Sequence, residues 1–325
     1  TTTADAGSCE ATAVDLGAPE TFDNCGVDNL ENDAPTSFPV GTTTVTWTVT
    51  DISGYSATAT QDVTVRDTEV PVITAPDAIT VSADGGSCQA ITDPGMPITT
   101  DNCGVDIVES DAPAAFPVGE TTIIWTVTDI YGNTATAEQL VTVTDDEAPL
   151  ITAPADVTAT ADAGACGAEA VDLGIPVTSD NCEVDAVESD APATLPVGET
   201  TVTWTVTDIH GNTATATQLV TITDNEAPTI TAPEAVTANP DAGMCEATAV
   251  DLGVPETADN CAVDLVENDA PASFPVGETT VTWTVTDIYG NTSTATQLVT
   301  IADEEAPSIT TPADITVTAD GGSCQ

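Results

Sequence analysis

The fold is decided by residues 200–224, which read TTVTWTVTDIHGNTATATQLVTITD. Thr alternates with apolar residues in two runs, and a short turn rich in Asp, Gly and Asn joins them. A period of two is typical of strands with one buried face, so the stretch predicts a β-hairpin. Its Trp204 lies in the apolar set and is interpreted as a core residue. A Trp that stacks on a sugar is the alternative.

Copies of this hairpin recur along the chain. One Trp marks each copy, and the spacing between successive Trp residues is almost constant: Trp47, Trp125, Trp204, Trp283. A period near 79 is long enough for a small domain with its own core. We therefore predict modules at residues 67–144, 145–223 and 224–302. Residues 1–66 are expected to be a module without its first strand and residues 303–325 the first part of another, so the chain is expected to be cut from a longer array.

Composition supports an all-β fold. Aromatic residues make up only 3% of the chain, and no segment keeps a period of 3.6. Short strands with turn signals at steady intervals predict tandem immunoglobulin-like β-sandwich modules arranged end to end. A bulky apolar residue before each hairpin is expected to anchor the core: Phe38, Phe116, Leu195, Phe274.

The charge balance excludes some functions. The chain has 54 acidic residues, one Arg, no Lys and one His, for a formal charge of −53. Nucleic acid binding needs cationic side chains, and an anionic bilayer would repel such a chain. No apolar run approaches membrane-spanning length, so no membrane insertion is expected. The acidity serves either solubility in a salty medium or specific cation sites, and the two can coexist.

Each module contains two cysteines separated by one short, nearly constant stretch of sequence. Even pairing within a module predicts structural disulfides in an oxidising, extracellular setting, each worth about 3 kcal/mol for a loop of this length. Two Cys without His make only half a zinc site, and no CxxC redox motif is present. The predicted pairs are Cys9/Cys25, Cys88/Cys103, Cys166/Cys182 and Cys245/Cys261.

Several motifs together resemble one family. They are ADAGAC at residues 161–166, the DNC turn at 101–103 and FPVGETTVTWTVTD at 274–287. The combination is similar to the hyalin repeat (HYR) module, which implies an immunoglobulin-like fold and an extracellular adhesion protein. Many such modules carry further cysteines where this chain has Ala75, Ala153 and Ala232, so one possible disulfide is absent. Near-identical acidic copies look most like giant surface adhesins of Bacteroidota.

Acidic residues cluster where modules meet, directly before a Pro. Ca²⁺ takes six to eight oxygen ligands from carboxylates, amides and carbonyls, so the junctions are candidate calcium sites. The Asp of each hairpin turn is expected to reach the junction of the following module. Residues 224–228, Asp-Asn-Glu-Ala-Pro, also resemble the calcium-binding linker of cadherins, whereas solvated turn residues are the alternative interpretation. The candidate ligands are Asp67, Glu69, Asp145, Asp146, Glu147, Asp224, Asn225, Glu226, Asp303, Glu304 and Glu305, with the turn residues Asp51, Asp129, Asp208 and Asp287.

No catalytic constellation is predicted, so we do not expect an enzyme. His210 is the only His, and the other copies have Ser or Tyr there. There is no nucleophile–base pair, no HExxH motif and no phosphate loop.

The sequence favours a stalk or filament segment of a secreted cell-surface adhesin, acting in surface attachment or gliding through reach, stiffness and protease resistance. Its partners would be neighbouring modules, and surface glycans through regions outside these residues. The alternatives are an array of glycan- or protein-binding modules, and a spacer of a secreted polysaccharide-degrading enzyme.

Overall fold

A computed structural model describes residues 1–317 and shows an all-β chain in which no described residue is helical. It divides into two compact units. The first comprises Thr1–Ile151, Thr178–Val187 and Val206–Ala214, and the second comprises Thr152–Val177, Glu188–Thr205 and Thr215 onward. Residues 1–317 contain no helix long and apolar enough to span a membrane.

Eight strands follow one order in the second, third and fourth repeats, and the first repeat contains six of them. The first repeat contains β1 (Thr2–Thr3), β2 (Glu10–Ala11), β3 (Val27–Asn32), β4 (Phe38–Pro39), β5 (Gly41–Asp51) and β6 (Ser56–Arg66). The second contains β7 (Val72–Thr74), β8 (Ile79–Ser82), β9 (Gln89–Ala90), β10 (Ile98–Thr100), β11 (Val105–Ser110), β12 (Phe116–Pro117), β13 (Gly119–Asp129) and β14 (Thr134–Thr144). The third contains β15 (Leu150–Thr152), β16 (Val157–Thr160), β17 (Gly167–Glu169), β18 (Val177–Ser179), β19 (Val184–Ser189), β20 (Thr194–Pro196), β21 (Gly198–Asp208) and β22 (Thr213–Thr223). The fourth contains β23 (Thr229–Thr231), β24 (Val236–Ala238), β25 (Glu246–Ala247), β26 (Glu256–Ala258), β27 (Val263–Asn268), β28 (Phe274–Pro275), β29 (Gly277–Asp287) and β30 (Thr292–Ile301).

The predicted hairpin is the centre of the larger sheet. In the second repeat β13 and β14 pair antiparallel, β11 extends the sheet beside β13, and β8 pairs in parallel with β14. The orders β1-β6-β5-β3 and β24-β30-β29-β27 repeat this arrangement, and in the third repeat β16 is again parallel to β22. Burial alternates along β13, where Ile123, Trp125 and Val127 face inward. The two-residue period therefore selects the buried face, as the sequence predicted.

Two small sheets complete the sandwich. In the second repeat β7 pairs with β10 and β9 pairs with β12, both antiparallel. The chain crosses from the small sheet to the large one between β7 and β8, across residues 75–78. The first repeat has no counterpart of β7, and its residues 20–22, which correspond to β10, form no strand. Phe22 in that segment is 94% exposed, and its counterparts Thr100, Ser179 and Ala258 are exposed as well.

A buried hydrogen-bond lock joins the two layers of the sandwich in the second, third and fourth repeats. Trp125 and Phe116 pack in the core, as predicted for both. The Nε1–H of Trp125 donates to Oε1 of Gln139 at 2.9 Å, and Nε2 of Gln139 donates to the carbonyls of Asp77 and Pro94, each at 2.9 Å. Gln139 is only 2% exposed, so its amide is fully used in holding the segments around β7 and β9 against the hairpin.

The register of the hairpin places the two cysteines of a repeat at opposite ends of the module. Cys88 lies at the start of β13, where its carbonyl accepts from Val118 N–H at 3.2 Å. Cys103 lies at the other end, where Ile130 N–H donates to the carbonyl of the adjoining Gly104 at 3.1 Å. Ten residue steps of strand separate these ends by about 33 Å.

Candidate site at the module junctions

Disulfides join successive repeats. The bonds are Cys9–Cys103, Cys88–Cys182 and Cys166–Cys261, with Cα–Cα distances of 4.8, 4.6 and 4.6 Å. The predicted pairs within a repeat (Cys9/Cys25, Cys88/Cys103, Cys166/Cys182 and Cys245/Cys261) are therefore wrong. A disulfide requires Cα atoms closer than about 7 Å, and the hairpin holds the two cysteines of one repeat far beyond that. Among the described residues Cys25 and Cys245 are exposed free thiols, and Cys324 lies outside the described residues.

Two side chains reinforce each junction beside the disulfide. Nδ2 of Asn102 donates to the carbonyl of Ser8 in the preceding repeat at 3.0 Å and to Oδ1 of Asp67 at 3.3 Å. Oε2 of Glu69 accepts from Gly7 N–H, also in the preceding repeat, at 2.8 Å. The later junctions repeat both contacts through Asn181 and Glu147, and through Asn260 and Glu226.

Three carboxylates converge at each junction. One oxygen each of Asp67, Asp101 and Asp129 lie within 4.8 Å of one another. Asp67 follows the end of β6, Asp101 opens the Asp-Asn-Cys turn before β11, and Asp129 ends β13. Equivalent clusters are Asp145, Asp180, Asp208 and Asp224, Asp259, Asp287.

The turn of the hairpin holds its carboxylate in the ionised form. Oδ1 of Asp129 accepts from the backbone N–H groups of Tyr131 and Asn133, each at 2.8 Å, and Oδ2 accepts from Nδ2 of Asn133 at 2.7 Å. Desolvation raises the pKa of Asp129, but the hydrogen bonds from Asn133, Tyr131 and Gly132 outweigh it, so the pKa lies below its ordinary value. The pKa values of Asp208 and Asp287 are lowered in the same way.

Three other oxygens at this junction have no hydrogen-bond donor. Oδ2 of Asp67, Oδ1 of Asp101 and Oδ1 of Asn102 are buried without a hydrogen-bond partner, and the same three atoms recur at the other two junctions. Asp67 is only 8% exposed. Buried acceptors are normally satisfied, so three orphaned oxygens, two of them on the clustered carboxylates and one on Asn102, indicate a site for a positive ligand.

The donor set fits calcium. Ca²⁺–oxygen bonds measure about 2.3–2.6 Å, so ligand oxygens on opposite sides of the ion lie about 4.6–5.2 Å apart. The three carboxylate oxygens lie within 4.8 Å of one another, so a single ion of this size can contact all of them. Every available ligand atom is an oxygen, which suits a hard cation and excludes a zinc-type Cys or His site. Cys88, Cys182 and His210 also lie together, but the two sulfurs are bonded to each other and offer no thiolate.

The three-carboxylate clusters contain six of the fifteen ligands that the sequence predicted. Six predicted residues lie in them: Asp67, Asp129, Asp145, Asp208, Asp224 and Asp287. The expectation that a hairpin Asp reaches the following junction is wrong, since Asp129 meets Asp67 at the start of its own repeat. The missed residues are Asp101, Asp180 and Asp259, whose Asp-Asn-Cys motif was interpreted only as a turn.

Four of the other nine predicted ligands accept hydrogen bonds elsewhere. Glu69, Glu147 and Glu226 accept from the preceding repeat, and Asp146 accepts from Ser82 and Thr144. Asn225, Asp303, Glu304 and Glu305 lie outside the three-carboxylate clusters found among residues 1–317, and so does Asp51.

Tandem β-sandwich modules cross-linked by disulfides define an extracellular repeat protein, because such bonds persist in oxidising compartments. Residues 66–143 match the HYR domain family. The chain is 33% identical over 285 residues to hyalin of Lytechinus variegatus, and 39% identical over 129 residues to hyalin of Strongylocentrotus purpuratus. These matches cover 82% and 37% of the chain, so the chain is built from hyalin-repeat modules.

The chain spans 54% of the Lytechinus hyalin and 11% of the Strongylocentrotus hyalin. Among solved structures it is similar to Drosophila N-cadherin EC1-4, with 11% identity, 93% of this chain and 98% of that chain covered, and a TM-score of 0.31. It is also similar to protocadherin gamma B7 domains 1-4, with 10% identity, coverage of 85% and 91%, and a TM-score of 0.33.

Proposed function

We propose that the chain is a stalk segment of a large secreted cell-surface adhesin, in which Ca²⁺ at the module junctions supplies stiffness. It would give reach and protease resistance rather than catalysis. Its direct partners would be neighbouring modules, while surface glycans or other adhesive substrates would bind regions outside these residues. The working module boundaries are residues 67–144, 145–223 and 224–302, each of which begins at a clustered Asp.

The observation that carries this proposal is the set of orphaned oxygens. Asp67, Asp101 and Asn102 present buried, unpartnered acceptors where one repeat meets the next, and Asn102 also bonds Ser8 of the preceding repeat. A cation held there would tie the junction residue Asp67 to the turn before β11 and to the end of β13, all within one repeat. It would thereby make rigid the turn from which Asn102 bonds Ser8 of the preceding repeat.

Charge supports the same interpretation. A formal charge of −53 makes neighbouring segments repel one another, which favours an extended array. Carboxylates only a few ångströms apart repel far more strongly than the surface average, so cation binding relieves the largest local repulsion in each junction.

Isothermal calorimetry with CaCl₂ on the full oxidised chain tests the sites. We expect saturable binding of about three ions per chain, one for each of the three clusters. Replacing Asp101, Asp180 and Asp259 by Asn removes one carboxylate from each cluster and should abolish the binding. Asp23→Asn is the matched control: Asp23 accepts from Cys25 N–H and Gly26 N–H in the same turn but belongs to no cluster among the described residues. Absence of saturable binding would refute the calcium sites.

Small-angle scattering tests the stalk. Modules of about 35 Å each, from about ten residue steps of strand, give a maximum dimension of about 140 Å for four modules. We expect that length in Ca²⁺ and a broader distribution of distances in EDTA. A compact particle in both conditions would overturn the stalk, independently of whether Ca²⁺ binds.

A further inference from the structure

The disulfides create a second covalent path along the chain. Cys9 is bonded to Cys103, and Cys88, which shortly precedes Cys103 in sequence, is bonded to Cys182. Cys166, which shortly precedes Cys182, is bonded to Cys261. A path from Cys9 to Cys261 through these bonds therefore uses only residues 88–103 and 166–182.

Each of these connecting segments already runs from one end of its module to the other. Cys88 and Cys103 lie at opposite ends of β13, about 33 Å apart by strand length. A segment of this length reaches at most about 54 Å when fully extended. The segment can therefore lengthen by only about 21 Å, so it is fully extended before any longer route through the module.

We propose that these disulfides form a continuous tension-bearing ladder that keeps the hairpins of the first three repeats, which supply most of each buried core, out of the line of force. The proposal rests on the stalk function and adds a mechanical role that no sheet or cation site provides. The off-path residues include the complete β5–β6 and β13–β14 hairpins. With both termini pulled, the ladder replaces residues 9–261 by the two connecting segments. It thereby shortens the fully extended chain by about 800 Å, at about 3.6 Å for each residue taken off the path.

The ladder has an asymmetric design that gives it a measurable signature. Without the Cys9–Cys103 bond the path would run through residues 9–88 in place of residues 88–103. At about 3.6 Å per residue, this change adds about 230 Å of extended chain.

The middle bond releases much less chain. Without the Cys88–Cys182 bond the path would run directly along residues 103–166 in place of both connecting segments. This change adds only about 115 Å of extended chain, by the same rise of about 3.6 Å per residue. The middle bond therefore releases half as much chain as the first, although both close loops of 94 residues.

Single-molecule force spectroscopy on the full chain, held by handles at both termini, tests the ladder. The background carries Cys25→Ser, Cys245→Ser and Cys324→Ser, so that no other thiol can exchange. We expect the total extended length of the reduced chain to exceed that of the oxidised chain by about 800 Å. Paired Ser variants of the first bond (Cys9, Cys103) and the middle bond (Cys88, Cys182) should lengthen the oxidised chain by about 230 Å and about 115 Å.

Two outcomes would overturn the ladder. Equal lengths in the oxidised and reduced chains would mean that no shortened path exists. Equal increments for the two paired variants would mean that the bonds do not share connecting segments. Neither result bears on the dimension measured by scattering, so failure of the ladder and failure of the stalk are distinguishable.

Discussion

Replacing Asp101, Asp180 and Asp259 by Asn should change the stability of the chain in opposite directions with and without Ca²⁺. Each of these residues contributes one of three carboxylates whose oxygens lie within 4.8 Å of one another. At an effective dielectric constant of about 20, two unit charges at this distance repel by about 3.5 kcal/mol. Neutralising one of three carboxylates removes two of the three repelling pairs, about 7 kcal/mol per junction before screening by solvent and before the hydrogen bonds that favour the ionised Asp129 are set against it.

The measured gain should be smaller, because the unfolded chain retains part of this repulsion. The turn itself should survive, since an Asn carbonyl can still accept from Cys103 N–H and Gly104 N–H, as Asp101 Oδ2 does at 2.8 and 2.9 Å. The new amide can also donate to the orphaned Oδ2 of Asp67. A net gain of about 1 kcal/mol corresponds to a rise in Tm of roughly 4–8 °C for a module of this size.

Calcium should reverse the order. A site filled at 100 times its Kd stabilises the folded state by about 2.7 kcal/mol, which the variant cannot gain. Thermal unfolding by circular dichroism, under oxidising conditions, should show the variant melting above the parent in EDTA and below it in millimolar Ca²⁺. Asp23→Asn should show no such reversal. A variant that melts below the parent in both conditions would refute the reasoning, since it would mean that these carboxylates stabilise the apo fold directly.

Three further outcomes follow from the structure. Gln139→Leu should lower the free energy of unfolding of the second module by about 3 kcal/mol, because it leaves the buried Trp125 Nε1–H and two carbonyls without partners. Urea unfolding followed by Trp125 fluorescence, in a chain whose other Trp are replaced by Phe, would measure this loss, and a loss below about 1 kcal/mol would contradict the lock. Asp129→Asn should reduce the acid sensitivity of the fold in EDTA. A carboxylate whose pKa is lowered on folding stabilises the fold above about pH 4, and that contribution is lost as pH falls through the lowered pKa. The urea midpoint of the parent minus that of the variant should therefore fall between about pH 5 and about pH 2, and a constant difference would count against this reasoning. Cys103→Ser should lower the free energy of unfolding by about 4.7 kcal/mol, because it opens a loop of 94 residues. Cys25→Ser lies in the equivalent but unpaired turn and should stay within about 0.5 kcal/mol of the parent, so equal effects of the two variants would be incompatible with bonds between repeats.

The fold could be predicted from local sequence patterns because the strands of the hairpin are adjacent in sequence and their alternation defines the buried face. Alternating Thr and apolar residues selected the buried face of β13, and Phe116 and Trp125 both lie in the core. Gln139 was missed, although its position carried a signal. It shares a face with the buried Val141 and Val143, and a polar residue at a core-facing position implies buried partners.

The junctions were harder to predict because their contacts join residues far apart in sequence. Loop-closure entropy favours pairing with the cysteine nearest in sequence, but Cys88 and Cys103 lie at opposite ends of β13. Only the hydrogen bonds of these segments with the ends of β13 reveal this separation. Asp101 was interpreted as a turn residue, which it is, since Oδ2 accepts two backbone N–H groups. Asp101 also belongs to the three-carboxylate cluster. The Asp-Asn-Cys motif explains the turn alone, so it gave no signal of this second role.

Apart from the disulfide, the contacts that recur at all three junctions are made to backbone atoms of the preceding repeat, and this has a genetic consequence. Asn102 bonds the carbonyl of Ser8, and Asn260 bonds the carbonyl of Ala165 in the same way, so the side chain at that place is irrelevant. Any repeat can therefore follow any other and find a matching surface and a partner thiol. Recombination between near-identical copies would add or delete whole repeats without an unmatched joint, which leaves the number of repeats free to vary between generations while every joint stays intact.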